Sequence, residues 1–290
     1  MKPAFSTVAF PDWTLPQIAE RLRDWGYLGC ELRSFGYGSR QFACDPALTS
    51  AVKVRGYFDG AGVSICGIAT GIRFCQPVNP PVIGNVIAVK QNEQGLREAK
   101  GAVDLAISLE CPYVRVFGLN VHGAESRKSA VARIAERLSL ACAYARNSGV
   151  KIMLENGGDF STAAELSEIL DAVNHPLLVT SYVPALGVLA GESVPNGVNV
   201  LGEKLVTVKL KDMKGAEPVA LGDGDLNCRQ TVEALAKAGF KGWAVYELDR
   251  AWLRNHAGKA QAGEMVAKSS KTLFGWLGNE ASSIRGMAHV

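Results

Sequence analysis

Short β-branched or apolar runs alternate with segments that carry apolar residues at helical spacing, and this cadence constrains the fold more than any other feature of the chain. The runs are Phe5 to Phe10, Leu28 to Arg33, Val63 to Ile68, Pro112 to Phe117, Val150 to Leu154, Leu177 to Val183, Leu205 to Leu210 and Trp243 to Leu248. Capping-box patterns, Thr14-Leu15-Pro16-Gln17 and Thr162-Ala163-Ala164-Glu165, open two of the helical segments. Others are marked by an apolar stretch from Ala47 to Tyr57, by Leu96, Val103 and Ile107, and by Val131, Ile134 and Leu138 with a stop at Gly149. The last two span Arg229 to Ala238 and Glu264 to Leu277. Eight strands alternating with helices predict an α/β chain folded as one (β/α)8 barrel over residues 1–277, with Gly278 to Val290 as a loose tail. A doubly wound open sheet is the alternative. It would invite a nucleotide, yet neither G-x-G-x-x-G after a strand nor a P-loop occurs, and there is no G-x-S-x-G elbow.

Charge narrows the partners. Thirty-one basic against 28 acidic residues give a net +3 over 290 residues, too balanced for a phosphate-tracking surface, so nucleic acid is not expected. No apolar run approaches the roughly 20 residues of a membrane span, and Met1 to Ser6 lacks a signal peptide's apolar region. The seven cysteines show no C-x-x-C or zinc-knuckle spacing. They read as buried thiols, Cys66 and Cys142 among them, and a reducing cytoplasm is the expected location. Only four histidines, His122, His175, His256 and His289, are available for imidazole chemistry.

In such a barrel the chemistry sits at the C-terminal strand ends. The polar residues there are Glu31 with Arg33, Arg115, Glu155 with Asn156, Lys209 with Lys211 and Asp212, and Glu247. Each alone reads as a solvated strand end paired with a neighbour. Several converging on one mouth point to a ligand site, because burying charges together costs several kcal/mol unless they pair or serve a ligand.

The order Leu154-Glu155-Asn156 with Gly157-Gly158-Asp159-Phe160, then Ala190-Gly191-Glu192, Lys211-Asp212, Leu221-Gly222-Asp223-Gly224-Asp225 and Tyr246-Glu247 resembles the xylose-isomerase-like TIM barrels, a superfamily of sugar isomerases and epimerases. The resemblance implies a divalent ion held by Glu, Asp, His and Glu at the ends of strands five to eight, the two glutamates matching Glu155 and Glu247. In proton-transfer members these also form the acid/base pair on either side of a substrate carbon, while the ion polarises the adjacent carbonyl. The middle ligands depart from the pattern. Val183 falls where the aspartate is expected and Leu186 where a histidine is common; a slip in alignment offers only Ser181 or Tyr182. Lysine at Lys209 replaces the imidazole of the usual His-x-Lys-Asp. An ammonium has no lone pair to give a metal, but it sets a positive charge between Glu155 and Glu247. Either Lys209 neutralises a former metal site, or it stands in for the ion, polarising a carbonyl or exchanging a proton.

Glu155, Glu247 and Lys209 are thus the catalytic candidates, and Arg115, His122, Glu31, Trp13 and Lys211 the substrate-binding ones. Arg115 either binds ligand or pairs with Glu31 or Glu155; Trp13, with Phe10, either walls the pocket or caps the core. His175 precedes a strand and belongs to the opposite face, and His256 and His289 are expected at the surface. No cofactor is expected, although a divalent cation (Mn, Mg or Zn) on Glu155 and Glu247 remains open. The expected partner is a small polar ligand, a sugar, polyol or keto acid, and a homo-oligomer is compatible with the sequence. Three functions compete: a sugar or polyol isomerase/epimerase that is metal-independent, a non-catalytic carbohydrate-binding or scaffold barrel, and, behind these, Schiff-base chemistry on Lys209. Endonuclease activity is disfavoured by the shortage of histidines.

Overall fold

A computed structural model describes residues 1–35, 42–76, 84–250 and 259–278, with 84–93 and 259–260 described as helix without their side chains. Eight parallel strands close into a barrel: β1 (Lys2–Ser6), β2 (Gly29–Arg33), β3 (Ser64–Arg73), β4 (Tyr113–Phe117), β5 (Lys151–Glu155), β6 (Leu178–Tyr182), β7 (Leu205–Leu210) and β10 (Trp243–Tyr246), β1 pairing with both β2 and β10. The outer helices are α1 (Leu15–Trp25), α2 (Ala51–Ala61), α3 (Gly84–Ser108), α4 (Arg127–Tyr144), α5 (Ala163–Val173), α8 (Cys228–Lys237) and α9 (Lys259–Leu277), with a broken pair, α6 (Pro184–Leu189) and α7 (Val194–Leu201), after β6. This is the expected (β/α)8 architecture.

Local sequence explains the helix ends. Both capping boxes form: Glu165 Oε2 accepts the Thr162 N–H at 2.9 Å while Thr162 Oγ1 accepts that of Glu165 at 3.2 Å, and Gln17 Oε1 accepts the Thr14 N–H at 2.9 Å. Gly26, at φ 75°, closes α1 in the left-handed conformation.

Two apolar regions hold the barrel. Outward-facing strand residues such as Phe5, Leu32, Ile68, Val114, Leu154 and Val208 pack beneath the helices in the main core. Inside, Ala4, Cys66 and Val245, with Trp243 against them, plug the N-terminal end. Trp243 lies so close over Gly29 that an added Cβ there would meet its ring at 2.4 Å. The inward positions nearer the C-terminal end are charged instead, and this division positions the site.

Several elements differ from the sequence-based expectation. The first strand ends at Ser6, because Thr7–Ala9 coil into a 3-10 turn whose Thr7 Oγ1 accepts the Arg33 N–H at 2.8 Å. Asp45 and Pro46 form their own turn, its Asp45 side chain accepting the Ala47 N–H, so α2 starts at Ala51 rather than Ala47. α4 stops at Tyr144, and Gly149, at φ 79°, turns the chain into β5. β3 runs five residues past Ile68, to Arg73. A hairpin of β8 (Asp212–Lys214) and β9 (Glu217–Val219) follows β7; three-residue strands leave too little alternation to read. Beyond Gly278 the expected tail lies outside the described residues, as do His256, His289 and Pro77, Pro80 and Pro81 of the proline-bearing connection. No helix among the described residues is long and apolar enough to cross a membrane.

Candidate active site

At the C-terminal end of the barrel the inward side chains form two ion-paired groups. The first joins β3, β4, β5 and β6. Arg115 Nη1 donates to Glu155 Oε1 at 2.7 Å, its Nη2 donates to the Thr70 carbonyl at 2.7 Å, and Ser181 Oγ donates to Glu155 Oε2 at 2.9 Å. The Arg115 guanidinium also lies 4.4 Å from the centre of the Phe117 ring. Arg115 thus takes the ion-paired role, with Glu155 as its partner.

The second group joins β2, β7 and β10. Lys209 Nζ donates to Glu31 Oε2 and, at 2.7 Å, to Glu247 Oε2. Lys211 Nζ donates to Glu247 Oε1 at 2.7 Å and to Asp249 Oδ2. The expected placement of Lys209 between Glu155 and Glu247 is corrected here. Glu31 supplies the second carboxylate, because β2 and β3 slip by one residue between Cys30 and Glu31, bringing Glu31 opposite Gly67. Gly67 and Glu31 face each other across this pair, and an added Cβ on Gly67 would stand in ordinary van der Waals contact with Glu31 Cγ, at 3.7 Å. Glu31, expected to touch substrate, is almost wholly buried.

Electrostatics set the charge states. Burial opposes the charge on Lys209, but Glu247, Glu31 and Glu155 outweigh it and raise the ammonium above its ordinary value. Burial likewise opposes ionisation of Glu247, yet Lys209, Lys211 and Arg115 hold it well below the usual carboxylate range. Lys211 is raised, burial being overcome by Glu247 and Asp249. Asp249 moves the other way: burial and the neighbouring Glu247 charge raise it, against the pull of Lys211 and Lys209. Arg33, at the end of β2, is lowered to about 10 by burial and the charge of Arg115.

Other motif residues serve the backbone. Asn156 Oδ1 accepts the Val183 N–H at 2.7 Å and its Nδ2 donates to the Val183 carbonyl, tying β5 to the strand-six connection. Asp159 Oδ2 accepts the Val121 N–H at 2.8 Å. Gly158 adopts φ 58° so close to the Leu119 carbonyl that a Cβ would meet it at 2.4 Å. Glu192 Oε2 accepts from the Tyr182 hydroxyl at 2.6 Å and the Ala163 N–H at 2.8 Å. Asp212 accepts the N–H groups of Met213, Gly222, Gly224 and Leu226, folding the Leu221 to Asp225 motif against β8.

Two substrate-binding candidates stand apart from the ion pairs. His122 is half-buried in the β4–α4 connection, its N–H directed at Glu125. Trp13 stacks on Phe10 at 4.4 Å and on Trp25 at 6.2 Å in the outer packing, the core-capping alternative. His175 lies before β6 and accepts the Leu177 N–H on Nδ1 at 3.1 Å. Asp249 escaped the sequence reading because it lies past the last apolar run and beyond the end of β10, where strand alternation gives no direction.

The geometry can be set against known proteins. The model of the xylose isomerase-like TIM barrel family matches residues 19–270. The chain belongs to this family. Fructoselysine 3-epimerase of Shigella flexneri is 24% identical over 162 residues, 53% of this chain, and the match spans 59% of that enzyme's length. Among solved structures, an L-ribulose 3-epimerase superposes with a TM-score of 0.77 at 14% identity, covering 100% of this chain and 98% of its own. The IolI protein with a zinc atom superposes at 0.74 with 18% identity, covering 96% and 98%. These structural likenesses show the fold, and the family is one of sugar epimerases and isomerases.

Proposed function

We propose that this barrel is a metal-independent isomerase or epimerase that moves a proton at the carbon beside the carbonyl of a small polyhydroxylated compound, a sugar or an oxidised polyol. The observation that carries the reading is the pair Glu155 and Glu247. Each is ion-paired to a cation of a neighbouring strand, and the two enter the mouth from strands separated by β6 and β7, so they can address a bound carbon from different sides. In the proposed cycle one carboxylate takes the proton from carbon and the other, having first taken up a proton from solvent, delivers that proton to the opposite face. Lys211, a quarter exposed, faces the carbonyl and offsets charge developing on its oxygen. Arg115 and Lys209 act as positioning residues, Arg115 orienting Glu155 and Lys209 orienting Glu247. His122, whose buried Nε2 meets no partner among the described residues, is the further ligand contact.

The donor set does not fit the divalent ion that the family implies. Both oxygens of Glu247 already accept from ammonium groups, and those of Glu155 accept from Arg115 and Ser181. The expected imidazole position holds an ammonium, and the expected aspartate position holds an apolar side chain. Among the described residues no three His, Cys, Asp or Glu side chains stand together as ligands. Schiff-base chemistry on Lys209 is not supported either, since its side chain is fully buried and its charge is favoured by its neighbours.

A second reading, a carbohydrate-binding barrel without chemistry, draws on the same saturation: carboxylates whose oxygens are all engaged are poor bases. Loss of carbon-bound hydrogen to deuterated water, followed by proton NMR with fructoselysine, L-ribulose and D-tagatose, separates the two. The enzyme reading expects exchange that falls about 100-fold or more in both Glu155→Gln and Glu247→Gln. Heat of binding without any exchange establishes the binding protein instead.

A further inference from the structure

Two arginines of α4, Arg133 and Arg137, lie one helical turn apart, and both are buried. Arg137 Nη1 donates to the carbonyls of Phe74 and Gln76, each at 2.7 Å, just past the end of β3. Arg133 reaches the next connection as well. Its Nε donates to Glu125 Oε1 at 2.9 Å and its Nη2 to Glu125 Oε2 at 2.6 Å, a two-pronged pair, while Nη1 donates to the Gln76 carbonyl at 3.1 Å and Nη2 to that of Asn120 at 3.4 Å.

Glu125 in turn closes the bend that carries His122. Its N–H donates to the His122 carbonyl at 3.0 Å, its Oε2 faces the His122 N–H at 3.5 Å, and Gly123, at φ 55°, lets the chain turn between them. With its Nε2 buried and unpartnered among the described residues, the imidazole depends on this bend for its placement. Arg133 thus fastens the root of the β3–α3 connection to the bend of the β4–α4 connection, both at the C-terminal end of the barrel.

We propose that Arg133 is a positioning residue of the mouth, acting through Glu125 to hold His122 where it meets the ligand. This role rests on the reading of His122 as a ligand contact. Tying down the end of β3 alone would need no carboxylate, since Arg137 serves the Phe74 and Gln76 carbonyls with none of its own among the described residues. The carboxylate that Arg133 does engage belongs to the His122 bend, and the hydrogen bond from Arg133 holds Glu125 below its ordinary value against the burial that raises it. The grip needs Nε and both terminal nitrogens in one plane, so a lysine here keeps the charge and loses the geometry.

The test compares wild type, Arg133→Lys, His122→Ala, their double variant and Arg137→Lys in the NMR exchange assay and by heat of binding with L-ribulose, fructoselysine and D-tagatose. Beside it stands imidazole NMR of the protein alone, in which four histidines are few enough to assign. Arg133→Lys and His122→Ala should each raise KM about 10-fold with kcat changed less than about 3-fold, and the double variant should be no worse than either. The His122 ring signals should shift in Arg133→Lys and in Glu125→Gln and stay in place in Arg137→Lys, which should lower Tm alone; if Arg133→Lys does not fold, Glu125→Gln takes its place in the cycle. Losses that multiply in the double variant, or a wild-type KM in Arg133→Lys beside a raised one in His122→Ala, would overturn the positioning role and leave the proton-transfer reading standing. A wild-type KM in His122→Ala overturns the ligand contact and this role with it. Exchange absent from wild type on all three sugars overturns the proton-transfer reading, and the heats of binding then decide the role by the same cycle. His122 signals unmoved in Arg133→Lys, or moved equally by Arg137→Lys, overturn the role with no sugar present.

Discussion

Lys209 shows how one side chain can define a site that it does not itself open to solvent. Its ammonium donates to Glu31 and Glu247 in the buried barrel interior, so removing it takes the counter-charge from Glu31 and leaves Glu247 with Lys211 alone. Lys209→Met should therefore lose about 3–5 kcal/mol of stability in urea titrations, far more than an exposed ion pair is worth. The pH dependence follows from the same contacts. Glu247 is depressed in the folded state, so its contribution is present above the unfolded value of about 4.3 and is lost as pH falls through the lower folded value. Lys209 is raised, so its contribution is present below about 10.4 and is lost as pH climbs through the higher folded value. Urea midpoints of wild type should be flat between these limits and fall at both ends, and Lys209→Met should flatten the acid side. A wild-type midpoint unchanged down to pH 3 would show that Glu247 is not held as described.

Elements bring those residues together through details that strand cadence does not reveal. Glu155, Glu247 and Lys209 were legible as strand-end residues, whereas Arg115 was legible only as a ligand contact or a partner of Glu31 or Glu155, and the fold pairs it with Glu155. That Lys209 meets Glu31 rather than Glu155 was not legible, since a one-residue slip between β2 and β3 sets the level of Glu31 and leaves no mark in composition. Asn156 and Asp212 sit beside functional positions but spend their polar atoms on backbone groups, a use visible only once the connections are folded. Two substitutions test this. Thr162→Ala removes the side-chain half of the α5 capping box and should cost about 1 kcal/mol, read as a small drop in Tm. Gly224→Ala places a Cβ 2.2 Å from Asp212 Oδ1 and 2.5 Å from the Met213 carbonyl; it should cost about 1–3 kcal/mol and disturb the loop after β9. Equal melting of Gly224→Ala and wild type would mean that Asp212 does not hold that loop.

At the level of the whole molecule, the alternation of eight strands with helices was readable because a closed parallel barrel repeats one unit, and each repeat buries its outward residues under the next helix. The inner filling is divided between an apolar plug at one end and charged residues at the other. Four histidines in 290 residues already argued against an imidazole-rich centre, and the ion-paired mouth supplies a physical alternative in which lysine and arginine side chains stand where a cation is needed. Dialysis against a chelator should accordingly leave Tm unchanged, and added Mn, Mg or Zn should not raise it, because a ligand stabilises a fold only where a site binds it.

The most direct measurement of the central claim is deuterium exchange at carbon in a responsive sugar, catalysed by protein stripped with a chelator and then supplied with manganese. Metal-independent proton transfer predicts the same rate before stripping, after stripping and after addition. A rate that collapses on stripping and returns with manganese would contradict the account, because the fixed charges of Lys209, Lys211 and Arg115 would then not be what holds the two carboxylates ready.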